Sequence, residues 1–391
     1  MTDPSGECDL AIVGAGILGL AVAREMLLRR PDLRVRVLEK EAEVGFHQTG
    51  HNSGVIHAGI YYAPGSLKAR LCVQGARDLY AFCEDKGVPA ERCGKVIVAV
   101  DESELPRLDE LERRGRANGV PGLRRLGPNE IEELEPHARG VAGLHSPATG
   151  IVDFEAVARA LASDVAERGG AVITQCEVEH VDNAAPRAIS LRHSVGETRA
   201  RRAVFCAGLW SDRLAAADGA PPDPRIVPFR GSYLRLRPER RELVRSLIYP
   251  VPDPALPFLG VHLSRHPDGE VLIGPTALMV ATPAALAWPG TRRVVRRFWR
   301  TGLTELHHAV SRRSLAKAAA RYVPELTPAD VLPGPSGVRA QALGRDGTLH
   351  DDFVFSRTER AIHVRNAPSP AATSALAIAR MVADEVEAGL G

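Results

Sequence analysis

The sequence predicts a Rossmann-type α/β fold carrying an inserted α+β part built on an antiparallel sheet. Three observations predict it. The chain opens on DLAIVGAGILGLAVAREMLLRR and then RVRVLEK, a short buried strand, a glycine turn, a helix and a second strand, which is the start of a parallel sheet. Residues 228–280 break into short strands separated by Pro and Gly turns, PFRGSYLRLRPE, SLIYPVPDPALPFLGVHLSR and GEVLIGPTALM, the pattern of an antiparallel sheet. Strand-like AIHVRNAPSP then leads into a last helix, AATSALAIARMVADEV, so the chain returns to the α/β part after the insert.

Taken in order, Gly14, Gly16 and Gly19 form a GxGxxG turn between the first strand and its helix. The first glycine permits the tight bend, the second lets backbone approach a pyrophosphate, and the third lets the helix pack on the strand. Glu39, followed by Lys40, closes the second strand, where an acid accepts from adenosine ribose hydroxyls. GHNSGVIHAGIYY, residues 50–62, obeys no helix or strand rule. Its small residues Gly54, Ala58 and Gly59 are expected to let the loop lie against a bound ring, while His51 and His57 supply chemistry or attachment. The segment 123–161 holds a polar helix, a loop rich in Gly and Pro, and an amphipathic helix, and its loop is the expected crossing between domains. GGAVITQCEVEHV and ARRAVFCAGLWSDRLA read as sheet strands that bring Val178 and Ala207-Gly208 to a cofactor. The second strand runs straight into the Gly/His loop and the sheet strands interleave with an antiparallel insert, which points to FAD rather than NAD. Residues 281–330 read as mostly helical. Ser369 reads as the cap of the last helix and Pro370 as its first residue. With Ala371, Ala372 and Thr373, that end would face the flavin's N1–C2=O edge and stabilise its reduced, negative form. The division that follows is 1–90, 145–227 and 335–391 for an FAD-binding domain, and 91–144 and 228–334 for a substrate domain.

At 391 residues, 45% apolar and 25% charged, with a net charge of +2, the composition gives no reason to expect nucleic acid as a partner. Six cysteines without a CxxC pair argue against structural zinc and a disulfide framework, and Cys206 reads as a small buried thiol. His47 with His51, and His307 with His308, have no carboxylate or cysteine at ligand spacing, so no metal is expected. The N-terminus lacks a basic stretch before its apolar run and no run of about 18 apolar residues occurs. A reducing, cytoplasmic compartment is the expectation, without a spanning segment and with peripheral membrane contact left open.

HQTGHNSGVIHAGIYYAPGSLKARLCVQG, CGKVIVAV, PFRGSYLRL, IYPVPDPALPFLGVHL, GVRAQAL, DDFVF and NAPSPAATSALAI span nearly the whole chain. In these stretches the chain resembles the L-2-hydroxyglutarate oxidase/dehydrogenase family of D-amino-acid-oxidase-like flavoenzymes. The resemblance implies bound FAD and oxidation of a small 2-hydroxy acid, L-2-hydroxyglutarate to 2-oxoglutarate, by hydride transfer to flavin N5. It places Thr49, His51, Asn52, Ser53 and Gly54 at the cofactor. His51 aligns roughly with a histidine that carries flavin covalently in some dimethylglycine-oxidising relatives. Removing the hydroxyl proton needs a base; His262 is the first candidate and His57 its partner or a flavin contact. A dicarboxylate needs cations, for which Arg339 and Arg230 are best placed, with Tyr62, Tyr233 and Tyr249 as further donors. The chain departs from the family at GPTALMVATPAALAWPG, where Thr276 replaces an asparagine and a basic loop has become small and apolar. If that loop lines the pocket, a different 2-hydroxy acid becomes the substrate. An amine or amino-acid oxidase and a non-catalytic flavin-holding subunit are the competing readings. The electron acceptor, oxygen or a quinone, is not encoded in composition.

Overall fold

A computed structural model describes residues 5–183, 188–254 and 258–390; Ala255 to Pro257, within the expected strands of 228–280, lie outside them. Gly6–Val13 sits inside an eight-stranded sheet. It pairs in parallel with Val35–Leu38 on one side and Gly196–Phe205 on the other. Ala171–Ile173 and Ala361–Asn366 extend the parallel part outward, and Ile189–His193 and Val178–Asp182 continue it antiparallel. Leu10, Ala11 and Ile12 are all fully buried, as expected of a parallel strand covered on both faces. Helices Ile17–Arg29, Phe154–Glu167 and Ala375–Leu390 contribute Leu20, Met26, Leu161 and Val382 to the core beside it. The protein is thus of the mixed α/β, Rossmann type.

The second sheet has nine strands. Leu247–Pro250, His262–Arg265, Val271–Gly274 and Arg225–Leu236 follow one another in space, and Lys95–Ala99 joins Leu247–Pro250 in the sheet's one parallel pairing among the described strands. Val331–Leu343 pairs along the whole of Arg225–Leu236, from Arg225 opposite Leu343 to Leu236 opposite Val331. This ladder crosses the boundaries expected at 227/228 and 334/335, so residues 335–343 share the second sheet. Pro333 and Pro335 are tolerated because the strand lies at the sheet's edge, where a missing N–H breaks no ladder. Helices Pro283–Ala287, Pro289–Val310 and Arg312–Ala319 occupy most of 281–330.

The last helix begins at Ala375, not at Pro370. Residues 368–374 form turns in which Ala371 N–H donates to Pro368 O and Ser374 N–H to Pro370 O. Ser369 is therefore no cap, and the hypothesis of a helix end formed by Pro370 to Thr373 is replaced by a run of turns. The physical reason is tertiary anchoring. A Cβ on Gly75, in helix Leu67–Asp85, would fall 2.6 Å from Ser374 Cα, so that helix holds the segment in place against local capping preference.

Candidate active site

A cleft of about 1660 Å³ is lined from both sheets. At one end the backbone makes the cradle. Gly14 turns at φ +103°, and a Cβ there would meet Cys206 O at 2.5 Å; a Cβ on Gly19 would meet Gly14 O at 1.9 Å. A Cβ on Gly16 would touch only Thr49 Oγ1, at 3.4 Å, which leaves the cleft side open. Helix Ile17–Arg29 has no side-chain cap at Gly16; Ile17 N–H donates to Thr49 Oγ1 at 3.1 Å, and the other first-turn N–H groups have no partner within the helix. Those donors and the positive helix end suit a pyrophosphate. Glu39 is buried and accepts from Ala15 N–H at 2.7 Å and Glu41 N–H at 3.0 Å, which fixes its carboxylate and leaves lone pairs for ribose hydroxyls. Lys40 Nζ lies 4.3 Å from the Trp210 ring centroid. Val178, Ala207 and Gly208 line the same end.

The Gly/His loop crosses the middle. The Asn52 amide donates to Gln48 O at 3.2 Å and Thr49 O at 2.5 Å and accepts from Gly54 N–H at 2.8 Å, so it braces the loop. His51 Nδ1–H donates to His47 O at 3.0 Å, and its ring and Ser53 line the cleft beside Pro370, Ala371 and Ala372. The Thr373 hydroxyl accepts from His57 N–H at 3.1 Å and donates to Val55 O at 3.4 Å, joining the loop to the C-terminal segment. Thr373→Val removes both bonds at constant volume; a loss of about 1–2 kcal/mol is expected, read as a lower Tm in the melt of the flavin-loaded protein.

At the other end two imidazoles converge. His262 Nδ1 lies 3.0 Å from Gly260 O. A carbonyl only accepts, so Nδ1 carries the hydrogen and Nε2 is left as a bare acceptor. Burial, with Lys95 and Arg339 nearby, pushes the His262 pKa down to about 3 against the pull of Gly260 O. Its ring stacks on Tyr249, centroids 4.0 Å apart and 25° from parallel. His57 Nε2 lies 3.2 Å from Ser369 Oγ, while its buried Nδ1 has no partner among the described residues. Burial, then Lys95, His262 and Lys68, hold the His57 pKa well below the usual imidazole range. Both rings are neutral near pH 7 and can accept protons. Arg339 lines the cleft and hydrogen-bonds Tyr233, and no described carboxylate pairs with it. Burial raises the Tyr62, Tyr233 and Tyr249 phenols, which keeps them as donors. The orphaned His57 Nδ1, the uncapped helix end and the open face of Gly16 fit a large cofactor such as FAD.

Some expected residues fall elsewhere. Arg230 is exposed and donates to Ser336 Oγ at 3.2 Å. Side chains alternate along its strand, so Gly231 and Tyr233 face the cleft and Arg230 points away. Gly54 is no contact surface for a ring: a Cβ there would meet Val152 O at 3.0 Å and His266 Nε2 at 3.1 Å. Ala58 is buried, and a Cβ on Gly59 would meet Val73 Cγ2 at 2.8 Å. These small residues pack the loop onto its own scaffold. Thr276 is buried, donating to Ser232 O and accepting from Ser232 N–H, each at 3.0 Å. Among the described residues none from 275 to 296 lines the cleft, so the departing loop stands outside it. Sequence reasoning missed Tyr61, Ser369 and Trp210 at the cleft, and Lys95 beneath it. For Lys95 a signal existed: it opens the otherwise apolar run KVIVA, all five residues of which are buried.

Residues 9–385 match the family model described as FAD dependent oxidoreductase. The chain is 47% identical over 409 residues to the mitochondrial L-2-hydroxyglutarate dehydrogenase of Homo sapiens, covering 97% of this chain and 88% of that protein. It is 42% identical over 388 residues to the L-2-hydroxyglutarate dehydrogenase of Indibacter alkaliphilus, covering 95% and 97%. Among solved structures it is similar to the FAD-bound L-alpha-glycerophosphate oxidase of Mycoplasma pneumoniae, with a TM-score of 0.81 and 24% identity over 98% of this chain and 95% of that one. Glycine oxidase from Geobacillus kaustophilus follows at a TM-score of 0.74 and 20% identity over 98% and 95%. These two likenesses establish the fold.

Proposed function

This chain belongs to the FAD-dependent oxidoreductase family, and from that premise we propose that it oxidises L-2-hydroxyglutarate to 2-oxoglutarate. One observation carries the reading: an imidazole with a bare Nε2, His262, shares the cleft with a guanidinium, Arg339, that no described carboxylate satisfies. Gly14, Gly16, Thr49, Glu39 and the first turn of helix Ile17–Arg29 would hold the dinucleotide; FAD bound there would supply the acceptor for the two electrons that leave the substrate carbon.

The protein's own groups do the rest. Arg339, presented with the Tyr233 phenol, binds a substrate carboxylate and orients the hydroxyl-bearing carbon. His262 Nε2 takes the hydroxyl proton, and the Gly260 carbonyl fixes the tautomer that leaves it able to. Tyr249 holds the ring by stacking. His57, tied to Ser369 and Thr373, stands as the second imidazole of the site. Arg297 and Arg300 line the mouth of the cleft and favour entry of a dianion. The relatives at 42–47% identity carry the same activity in their names, and the departing loop around Thr276 lies away from the cleft, which supports the same substrate.

The test is a panel of L-2-hydroxyglutarate, its D enantiomer, shorter L-2-hydroxy acids and L-glutamate, mixed with the flavin-loaded protein under nitrogen. Rapid bleaching of the flavin is expected with L-2-hydroxyglutarate, and product analysis should give 2-oxoglutarate. Bleaching by L-glutamate alone would replace this reading with an amino-acid oxidase. The electron acceptor is oxygen or a quinone; reoxidation by air against a soluble quinone separates them. The six cysteines are free thiols, which suits a reducing compartment. No helix among the described residues is long and apolar enough to cross a membrane.

A further inference from the structure

We propose that Lys95 is a positioning residue of this site: from behind the Tyr249 ring its ammonium holds the Tyr249–His262 stack and keeps the His262 imidazole in its proton-accepting form. The proposal rests on the reading of His262 as the base. Lys95 opens the strand Lys95–Ala99, between Leu247–Pro250 and Ala142–Ser146. It is 1% exposed, and among the described residues it makes no ion pair or hydrogen bond; its contacts are aromatic rings. Tyr249 pairs with Ile97 in parallel register, so Lys95, Ile97 and Tyr249 share one face of the sheet. Ile248 pairs with Leu263, which sets His262 beside Tyr249.

Lys95 Nζ lies 4.0 Å from the Tyr249 ring centroid and 5.2 Å from that of Tyr61. The His262 ring is stacked 4.0 Å from the same Tyr249 centroid. Lys95 comes from the strand on one side of Leu247–Pro250 and His262 from the strand on the other, so the phenol ring stands between an ammonium and an imidazole. The ring's quadrupole attracts the cation, and among the described residues no carboxylate is paired with it. The titratable groups around Lys95 are Tyr61 and Tyr249, Cys72 from helix Leu67–Asp85, Cys93 just before the strand, and the two imidazoles. Burial pushes the Cys72 thiol up to about 12 and the Cys93 thiol to about 11, and raises both phenols, so these stay neutral. Around His262 stand Tyr249, Arg339, Lys95 and the Gly260 carbonyl; Lys68 acts on His57. Lys68 is itself paired with Asp351 at 2.8 Å, and among the described residues the charged side chains that act on Lys95 and His262 include no carboxylate.

An unpaired lysine in a sheet interior is costly, and an apolar side chain of its length would fill the space without that cost. A cation behind Tyr249 disfavours a second positive charge on the imidazole in front of it. A dianionic substrate entering the cleft balances that field, so His262 gains a proton when substrate is present to give one. Burial pushes Lys95 itself down to about 7; it is charged throughout the acid range in which His262 titrates.

The experiment is the pH profile of kcat/KM in flavin-loaded Lys95→Met, Lys95→Arg and His262→Gln. In Lys95→Met the acid limb should move to higher pH by about one unit, and in Lys95→Arg it should return toward the original position. Should Lys95→Met fail to load flavin, Lys95→Gln, polar and uncharged, replaces it and must show the same displacement. A limb that stays in place in the uncharged variant, or a Lys95→Arg profile no different from it, overturns the proposal. A limb missing in His262→Gln confirms the base, so an unmoved limb in Lys95→Met then counts against Lys95 alone; a limb surviving in His262→Gln overturns the reading of the base.

Discussion

Replacement of His262 by glutamine should lower kcat/KM for L-2-hydroxyglutarate by about 10³, the usual worth of a positioned general base, with flavin content unchanged. The expectation follows from the tautomer. The Gly260 carbonyl fixes hydrogen on Nδ1, so Nε2 is the lone pair presented to the cleft, and glutamine keeps the shape while losing the basicity. The pH dependence has a defined sign. The ordinary imidazole pKa is 6.5 and burial takes this one to about 3, so the proton-accepting form persists as pH falls through 6 and the wild-type rate declines only in more acid solution. Stability moves with it. His57 and His262 are both held below their unfolded values, so their contribution is fully present above pH 6.5 and is lost as pH falls toward the folded values. Thermal melts of the flavin-loaded protein between pH 7 and pH 5 should show Tm falling, and falling less in His262→Gln. An unchanged rate in His262→Gln would move the base to His57.

Replacement of Arg339 by methionine should raise KM for the dicarboxylate by about 100-fold, the loss of roughly 3 kcal/mol expected when a charged partner is removed from a desolvated anion. Arg339 stands on the edge strand Val331–Leu343, opposite Phe229, and reaches Tyr233 across the ladder. Arg339→Lys should recover only part of the effect, because a point charge lacks the planar fork that grips a carboxylate through two bonds. Inhibition by 2-oxoglutarate should weaken in parallel, since product carries the same carboxylates. Steady-state kinetics with L-2-hydroxyglutarate decide it, and an unchanged KM would remove Arg339 from the substrate site. Arg230→Met is the control: its side chain points out of the cleft toward Ser336, so KM should stay within twofold.

The contrast between the two arginines shows where sequence reading stops. Both lie in stretches that resemble the family, and nothing in PFRGSY or GVRAQAL says which side chain faces inward. The period of two along a strand fixes that once the ladder's register is known, and the register joins residues about a hundred positions apart. The C-terminal segment makes the same point. Ser369 and Pro370 have the local chemistry of a helix start, yet contacts from Gly75, His57 and Val55 hold 368–374 as turns.

The sequence by itself determined the βαβ opening, the places of Gly14, Gly16, Gly19 and Glu39, the antiparallel insert, the cofactor and the family, because each is written in local spacing or in long matching stretches. Only the tertiary structure decided that Arg339 and not Arg230 enters the cleft, that the Thr276 loop stays outside it, that Gly54 serves packing, and that Lys95 lies behind Tyr249. Those outcomes depend on which face of a strand is buried and on what meets it from distant parts of the chain, a matter of long-range packing that no local pattern of residues records.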